Sequence, residues 1–325
     1  MTAGSLHTPT RPLQAILAVL AVLAALAPPA VLAQDRPRRS VAFTFDDLPV
    51  TRSLSPDDER AITDGLLAQL REEGIPAIGF VNERKLGNPP ESARVALLEA
   101  WLNAGHELGN HTYSHMRLHD ARLEDWQRDV LLGERVTQRL LRERGRRARW
   151  LRHPTLSTGS SLAIKDSSER FLSAHGYAVA PVTIDNDEYL FALAYDRARE
   201  SGDTAMLRRI GPAYVRYMEE IFEHFERLSR DLLGREPAQT LLLHANALNA
   251  RHTADLAAML RRRGYHFVTF DQAMSDTAYA LPDRYIGARG PSWLERWAVT
   301  RGVRPGRPPE IPEWVRQYNG VTGNR

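Results

Sequence analysis

Short apolar runs alternate with stretches of helical period along most of this chain, and that alternation limits the folds open to it. Runs at 40–45, 77–81, 106–109, 150–152, 177–179, 240–244 and 266–270 read as strands. Between them, 56–73, 92–103, 123–141 and 253–263 place apolar residues at helical spacing. In the first of these, Ile62, Leu66, Leu67 and Leu70 form one stripe that Gly74 closes. Strands alternating with helices define βαβ units and a mainly parallel sheet. About seven such units favour an α/β fold closed as a distorted (β/α) barrel over an open doubly wound sheet. Residues 190–235 break the rhythm, with two helical patterns and no strand between them, and read as a helical insertion.

Both ends depart from the pattern. Residues 1–33 carry Arg11, an apolar stretch from Leu13 to Leu26, then Pro28, Pro29 and a small-residue end at Ala33. This is the pattern of a signal peptide removed on export, so a periplasmic or secreted location is expected. The apolar stretch is short for a membrane span, and no integral span is expected once the leader is removed. A catalytic domain is expected over 34–278. Residues 279–325 form a Pro/Arg-rich extension with Trp293 and Trp297 as candidate anchors.

Composition narrows the chemistry. Among 325 residues there is no cysteine, which excludes disulfides, thiolate metal sites and cysteine nucleophiles. Any metal must be held by His, Asp or Glu. Lys and Arg number 43 against 40 acids, an excess too small for a dedicated nucleic-acid binder, and no nucleic-acid partner is expected. Only Lys85 and Lys165 are lysines. A dense arginine run at 139–152 reads as a solvated helix end, with contact to an anionic polymer as the alternative.

Several polar clusters sit where predicted strands end, the face that carries active sites in barrel enzymes. Asp46 and Asp47 close the first strand. Successive strand side chains alternate, so both cannot enter a barrel core; one can bind a cation while the other stays free as a base. The common alternative is a turn or helix-cap pair. His111 and His115, four apart, would share one face of a helix and grip a divalent ion, although most such pairs are incidental. Two histidines and a carboxylate leave positions open for water and a substrate oxygen. His244 ends the run Leu241-Leu242-Leu243; it is either a structural residue or a general acid at the barrel mouth. Arg152, before His153-Pro154, can pair with a carboxylate base. Asp185, Asp187 and Glu188 form an acidic cluster or a set of loop charges.

In this order the clusters resemble the polysaccharide deacetylase family, the NodB-homology domain of carbohydrate esterase family four, over roughly residues 40–276. Thr44-Phe45-Asp46-Asp47 matches its first motif, implying Asp46 as general base and Asp47 as metal ligand. His111-Thr112-Tyr113-Ser114-His115 matches the second, implying that both histidines are ligands. Arg152 and Pro154 match the third, with Thr155 replacing an aromatic residue and its backbone N–H implied in holding the oxyanion. The fourth motif is altered: Asp185 is kept, while Glu188 and Tyr189 stand for an Asp and a Trp. By resemblance Glu188 tunes the catalytic histidine, with Asp187 and Asp185 as competitors. Leu241-Leu242-Leu243-His244 matches the fifth and implies His244 as general acid.

The resemblance implies a metal-dependent hydrolase that removes N-acetyl groups from N-acetylated sugars of a polysaccharide or cell-wall glycan. The implied cofactor is a divalent metal, Zn2+ first, with Co2+, Ni2+ or Mn2+ as alternatives. Competing readings are an O-acetyl esterase on acetylated polysaccharide and a catalytically weakened carbohydrate-binding member of the fold.

Overall fold

A computed structural model describes residues 1–4, 39–87 and 90–320. Apart from its first four residues, the leader expected over 1–33 lies outside them. Among the described residues no helix is long and apolar enough to cross a membrane.

Seven strands form one sheet: β1 (Arg39–Leu48), β2 (Ala77–Val81), β3 (Glu107–Asn110), β4 (Trp150–Leu151), β5 (Ala178–Val179), β6 (Gln239–His244) and β7 (Tyr265–Phe267). Their order is β5-β4-β3-β2-β1-β6, with β7 paired to the start of β1, and every named pairing is parallel. The chain leaving β5 reaches the other edge of this path: Ile184 bridges Leu241, and Thr183 N–H donates to the Thr240 carbonyl at 3.1 Å. One segment thus touches both edges, β4 at 178–179 and β6 at 183–184. The result is the expected distorted (β/α) barrel, curled from short strands and completed by irregular chain rather than by a regular ladder.

The helices are α1 (Pro56–Glu72), α2 (Ser92–Asn103), α3 (Leu123–Leu132), α4 (Arg135–Arg142), α5 (Leu162–Ala174), α6 (Glu188–Ser201), α7 (Thr204–Leu233), α8 (Ala247–Arg262), α9 (Phe270–Met274), α10 (Trp293–Thr300) and α11 (Glu313–Tyr318). Period-two alternation in β1 sorts its side chains. Val41, Phe43 and Phe45 enter the large core under the helices, where Phe45 meets Trp101 edge-on at 5.6 Å. Ala42 joins Ile78, Phe80, Ala180 and Phe270 in a separate small cluster. Thr44 and Asp46 continue that second face, which is how a carboxylate comes to be buried at the strand end.

The single helix expected over 123–141 is two. Gly133 packs against the loop after β3, where an added Cβ would come within 2.5 Å of the Thr112 carbonyl carbon and the Tyr113 nitrogen. The helix breaks to let that loop pass. The buried Glu83 carboxylate then accepts from the backbone N–H groups of Val136 (3.1 Å) and Thr137 (2.7 Å), satisfying the new N-terminus of α4.

Helices α6 and α7 fill the 190–235 region. Tyr214, Met218, Ile221, Phe222 and Phe225 of α7 are buried in the main core, so this helix packs over the barrel. The tail shares that core through Trp293, Leu294, Trp297, Ile311 and Val315. The arginine run is largely engaged with neighbours: Arg139 pairs with Glu143, Arg144 reaches Asn103, and Arg149 pairs with Asp271.

Candidate active site

At the C-terminal mouth of the barrel lies a cavity of about 390 Å³. Asp46, Asp47, His111, His115, Thr155 and His244 line it, as do Asp185, Asn186, Asp187 and Tyr189. A larger groove of about 850 Å³ between α7 and α8 contains none of the sequence-predicted site residues. Chemistry, not size, therefore identifies the smaller cavity as the candidate site.

Two adjacent carboxylates reach the same mouth because the strand does not continue regularly. The β1–β2 register shifts between Phe45 and Leu48, and Asp47 adopts a left-handed backbone with φ 66°. Such a bulge re-aims a side chain that strict alternation would send to the far face. Asp46 remains on the inner face. Its Oδ1 and Oδ2 accept from Arg152 Nη1 at 3.2 and 3.4 Å. Arg152 is fully buried and held on three further sides: Nε donates to the Ala180 carbonyl (2.9 Å), Nη2 to Thr44 Oγ1 (3.1 Å), and the guanidinium lies over the Phe80 ring at 4.5 Å.

The two histidines do not sit on a helix, contrary to the spacing argument. His111 leaves β3, and the loop turns through left-handed Thr112 (φ 61°) and His115 (φ 59°). Asp129 pins this turn, accepting from Tyr113 N–H at its carbonyl (3.0 Å) and from Ser114 N–H at Oδ2 (3.0 Å). The rings meet edge to face with centroids 4.9 Å apart. His111 Nδ1 lies 2.8 Å from the Arg152 carbonyl oxygen. A carbonyl only accepts, so Nδ1 carries the proton and Nε2 presents its lone pair.

Asp47 Oδ1 lies 3.8 Å from Nε2 of both His111 and His115. One donor atom from each residue falls within 4.8 Å of the others, and Asp47 Oδ1 is buried without a hydrogen-bond partner. Burial, then the charge of His111, pushes His115 down to about 4, so its imidazole is neutral at pH 7. A buried carboxylate oxygen with no hydrogen-bond partner, beside two imidazole nitrogens, is unfavourable until a cation sits among them. The donor set, one oxygen and two nitrogens, suits a divalent transition metal. Burial raises the Asp47 carboxyl, but the positive charge of Lys85, first among its lowering influences, helps hold it below the usual range.

His244 ends β6, its Nδ1 2.8 Å from Glu188 Oε2. Glu188, first residue of α6, is almost fully buried, and its Oε1 accepts from Asn246 Nδ2 (2.5 Å) and Asn249 Nδ2 (2.6 Å). Of the three acids proposed to tune His244, the contact is made by Glu188. Asp187 precedes α6, its N–H donating to Tyr217 Oη at 2.9 Å. Asp185 lines the cavity and is raised by burial and by Glu295 to about 7. Burial alone would lower His244; the Glu188 hydrogen bond and charge, then Asp47 and Asp46, bring it up to about 9.

Thr155 and Leu156 complete the lining in left-handed conformations, φ 52° and 53°. Among the described residues the five non-glycine residues with positive φ are Asp47, Thr112, His115, Thr155 and Leu156, all in the strand-end segments of this site. Such conformations cost on the order of 1 kcal/mol or more each and persist where surroundings enforce them.

Sequence reasoning missed several participants. Lys85 Nζ lies 3.7 Å from Asp47 Oδ2 and donates to the Val50 and Thr51 carbonyls. The scarcity of lysine was a usable signal: Lys165, the other one, is also buried on a carboxylate, Asp283, at 2.5 Å. Asn246 and Asn249, just beyond the last motif, escaped because neither type marks catalysis. Arg289 and Gly290 line the cavity from the tail.

A partly buried Asp-His-His cluster with donors suited to a divalent ion thus sits at the barrel mouth, flanked by an Arg-held carboxylate and a Glu-held histidine. Residues 33–180 match the polysaccharide deacetylase family model. Among solved structures, the fold is similar to a CE4 family pseudoenzyme mutant with restored enzymatic activity, at 14% identity and TM-score 0.51, covering 74% of this chain and 68% of that one. It is also similar to the wild-type pseudoenzyme from Bacillus anthracis, at 12% identity and TM-score 0.50, covering 74% and 66%. Peptidoglycan deacetylase PdaC from Bacillus subtilis matches at 20% identity and TM-score 0.45, covering 73% and 90%.

Proposed function

We propose that this chain is a metal-dependent hydrolase that removes N-acetyl groups from N-acetylated sugars of a polysaccharide or cell-wall glycan, acting after export to the periplasm or beyond. The observation that carries this reading is the juxtaposition at one cavity of three elements: the orphaned Asp47 oxygen between two imidazoles, the Asp46–Arg152 pair, and the His244–Glu188 pair. A carbohydrate-binding relative without catalysis has no need of all three. The leader pattern at 1–33 supports the location.

Asp47, His111 and His115 would hold the divalent ion, zinc by preference, whose Lewis acidity acts on the acetyl carbonyl and the attacking water. Asp46 takes the proton of that water; Arg152 grips both its oxygens and fixes the direction in which it accepts. The Thr155 backbone N–H, held in a strained turn, offers a donor to the developing oxyanion. His244 as imidazolium passes a proton to the departing nitrogen, while Glu188 keeps the ring charged and oriented. Glu188 holds His244 above its ordinary value, so the ring carries the proton that an amine leaving group needs in order to depart.

Acetate release from N-acetylated oligosaccharides and from acetylxylan, with and without a chelator, tests the proposal. We expect release from the N-acetylated substrate, a loss of at least about a hundredfold after chelation, and recovery on adding Zn2+. Release that ignores chelation, or that comes from acetylxylan alone, overturns it.

A further inference from the structure

The tail does more than cover the barrel. Between Asp283 and Arg296 it forms a strap fastened directly to the strained turn of the active site. Gly290 N–H donates to the Thr155 carbonyl at 3.1 Å. Gly290 sits so close to the next residue that a Cβ there would lie 1.9 Å from the Leu156 carbonyl oxygen, so only glycine fits this approach. Arg296 is fully buried and locks the arrangement. Its guanidinium donates to the Leu156 carbonyl, to Thr158 Oγ1 (3.1 Å) and to Asp283 Oδ2 (3.2 Å), and it stacks on Trp293 at 4.0 Å. The residues before Gly290 are pinned as well: Arg117 Nη2 donates to the Ala288 carbonyl (2.9 Å) and Tyr285 Oη to the Arg289 carbonyl (3.0 Å).

This strap presents one side chain to the cavity, Arg289. It lines the same space as Asp46, Asp47 and His244, it is exposed, and it forms no ion pair among the described residues. The other cations at the site are engaged, Arg152 by Asp46 and Lys85 by Asp47. An exposed guanidinium on a fixed backbone beside a reaction centre is a recognition element seeking an anion.

We propose that Arg289 is a specificity-determining residue that binds a carboxylate carried by the glycan at or next to the N-acetylated unit, so that the preferred substrate is an acidic N-acetylated sugar chain. This rests on the deacetylase reading above. The planar fork of arginine matches a carboxylate through two parallel hydrogen bonds. A doubly charged phosphate fits less well, because one guanidinium cannot neutralise it and Asp46, Asp47 and Asp187 share the cavity. Asp185, raised to about 7, carries only part of a charge at neutral pH and opposes a single carboxylate weakly.

The test uses two N-acetylated oligosaccharides of equal length, one bearing the carboxylate and one with it reduced to an alcohol. For the metal-loaded wild type at low salt, kcat/KM should favour the acidic substrate about fivefold to tenfold, mostly through KM. Arg289→Gln should reduce that preference to less than about twofold, Arg289→Lys should keep part of it, and 1 M salt should erase it in the wild type. Arg304→Gln, on the exposed tail away from the cavity, should leave the preference intact. Calorimetric binding of the two sugars to chelator-treated protein reads the same preference without turnover. If the wild type binds and processes both sugars alike, or Arg289→Gln keeps the preference, the inference is wrong. If neither sugar releases acetate yet the binding preference depends on Arg289, the deacetylase reading fails while the recognition role stands.

Discussion

Asp46→Asn and His244→Ala should each lower acetate release by about 10²- to 10⁴-fold while bound metal stays near one ion per chain, the signature of lost proton transfer rather than a lost ion. The geometry separates these roles. Asp46 is engaged by Arg152 at both oxygens, and His244 by Glu188, whereas the clustered donor atoms come from Asp47, His111 and His115. Asparagine keeps the shape and one acceptor for Arg152 but cannot take a proton. It also leaves a fully buried guanidinium without its counter-charge, and breaking a buried pair destabilises by roughly 3–5 kcal/mol in the worst case. The activity comparison therefore belongs well below the melting temperature of the variant, with folding checked by circular dichroism. Because the two groups act on one reaction coordinate, the double variant should fall little below the weaker single variant. Retention of more than a tenth of the activity by either variant, or metal loss in step with activity loss, would remove that residue from its role.

The residues that the sequence brings forward for chemistry converge because strand ends are local features. An apolar run followed at once by a polar pair announces where a strand stops, and in a parallel barrel those stops share one face. Asp46, Asp47, His111, His115, Thr155 and His244 line the cavity, and Arg152 and Glu188 stand behind it. What local pattern does not carry is the backbone irregularity that makes the site. Neither the bulge at Asp47 nor the left-handed turns at Thr112 and His115 has a glycine to mark it, so HxxxH suggests a helix where a strained loop exists. The break at Gly133 depends on another loop's close approach, and the closing bridge at Ile184 on a partner strand far along the chain. The strap at 283–296 has no periodicity at all; its place is set by Gly290 and Arg296 against residues 155–158. Long-range contact fixed these features, and one-dimensional spacing does not encode it.

Replacing Glu188 with Gln should shift the pH dependence as strongly as Asp46→Asn or His244→Ala lowers the rate. Two amides, Asn246 and Asn249, donate to Oε1 of residue 188, so the oxygen of an introduced glutamine stays on that side. Its NH2 group then faces His244 Nδ1 and donates to it, which stabilises the neutral ring and opposes the imidazolium. In the wild type, Glu188 is the strongest upward influence on a ring that burial alone pushes down, and together with Asp47 and Asp46 it brings His244 to about 9. A cation held by Asp47 cancels much of that residue's share, which leaves Glu188 as the principal support. Without it the ring should titrate at or below its ordinary 6.5. Protonated His244 is the form that acts as acid, so the alkaline limb of kcat should move to lower pH in the variant than in the wild type. Activity at pH 8 should drop by about 10- to 100-fold and recover in part towards pH 6. Stability follows the same proton. A histidine raised in the folded state contributes stabilisation that is fully present below about pH 6.5 and is lost as pH rises through about 9. The gap in melting temperature between wild type and Glu188→Gln should thus be widest below pH 6.5 and close above pH 9. NMR titration of the His244 ring in zinc-loaded protein, beside the pH–rate profile, measures both effects, and an alkaline limb in the variant unchanged from the wild type would assign the tuning of His244 to another group.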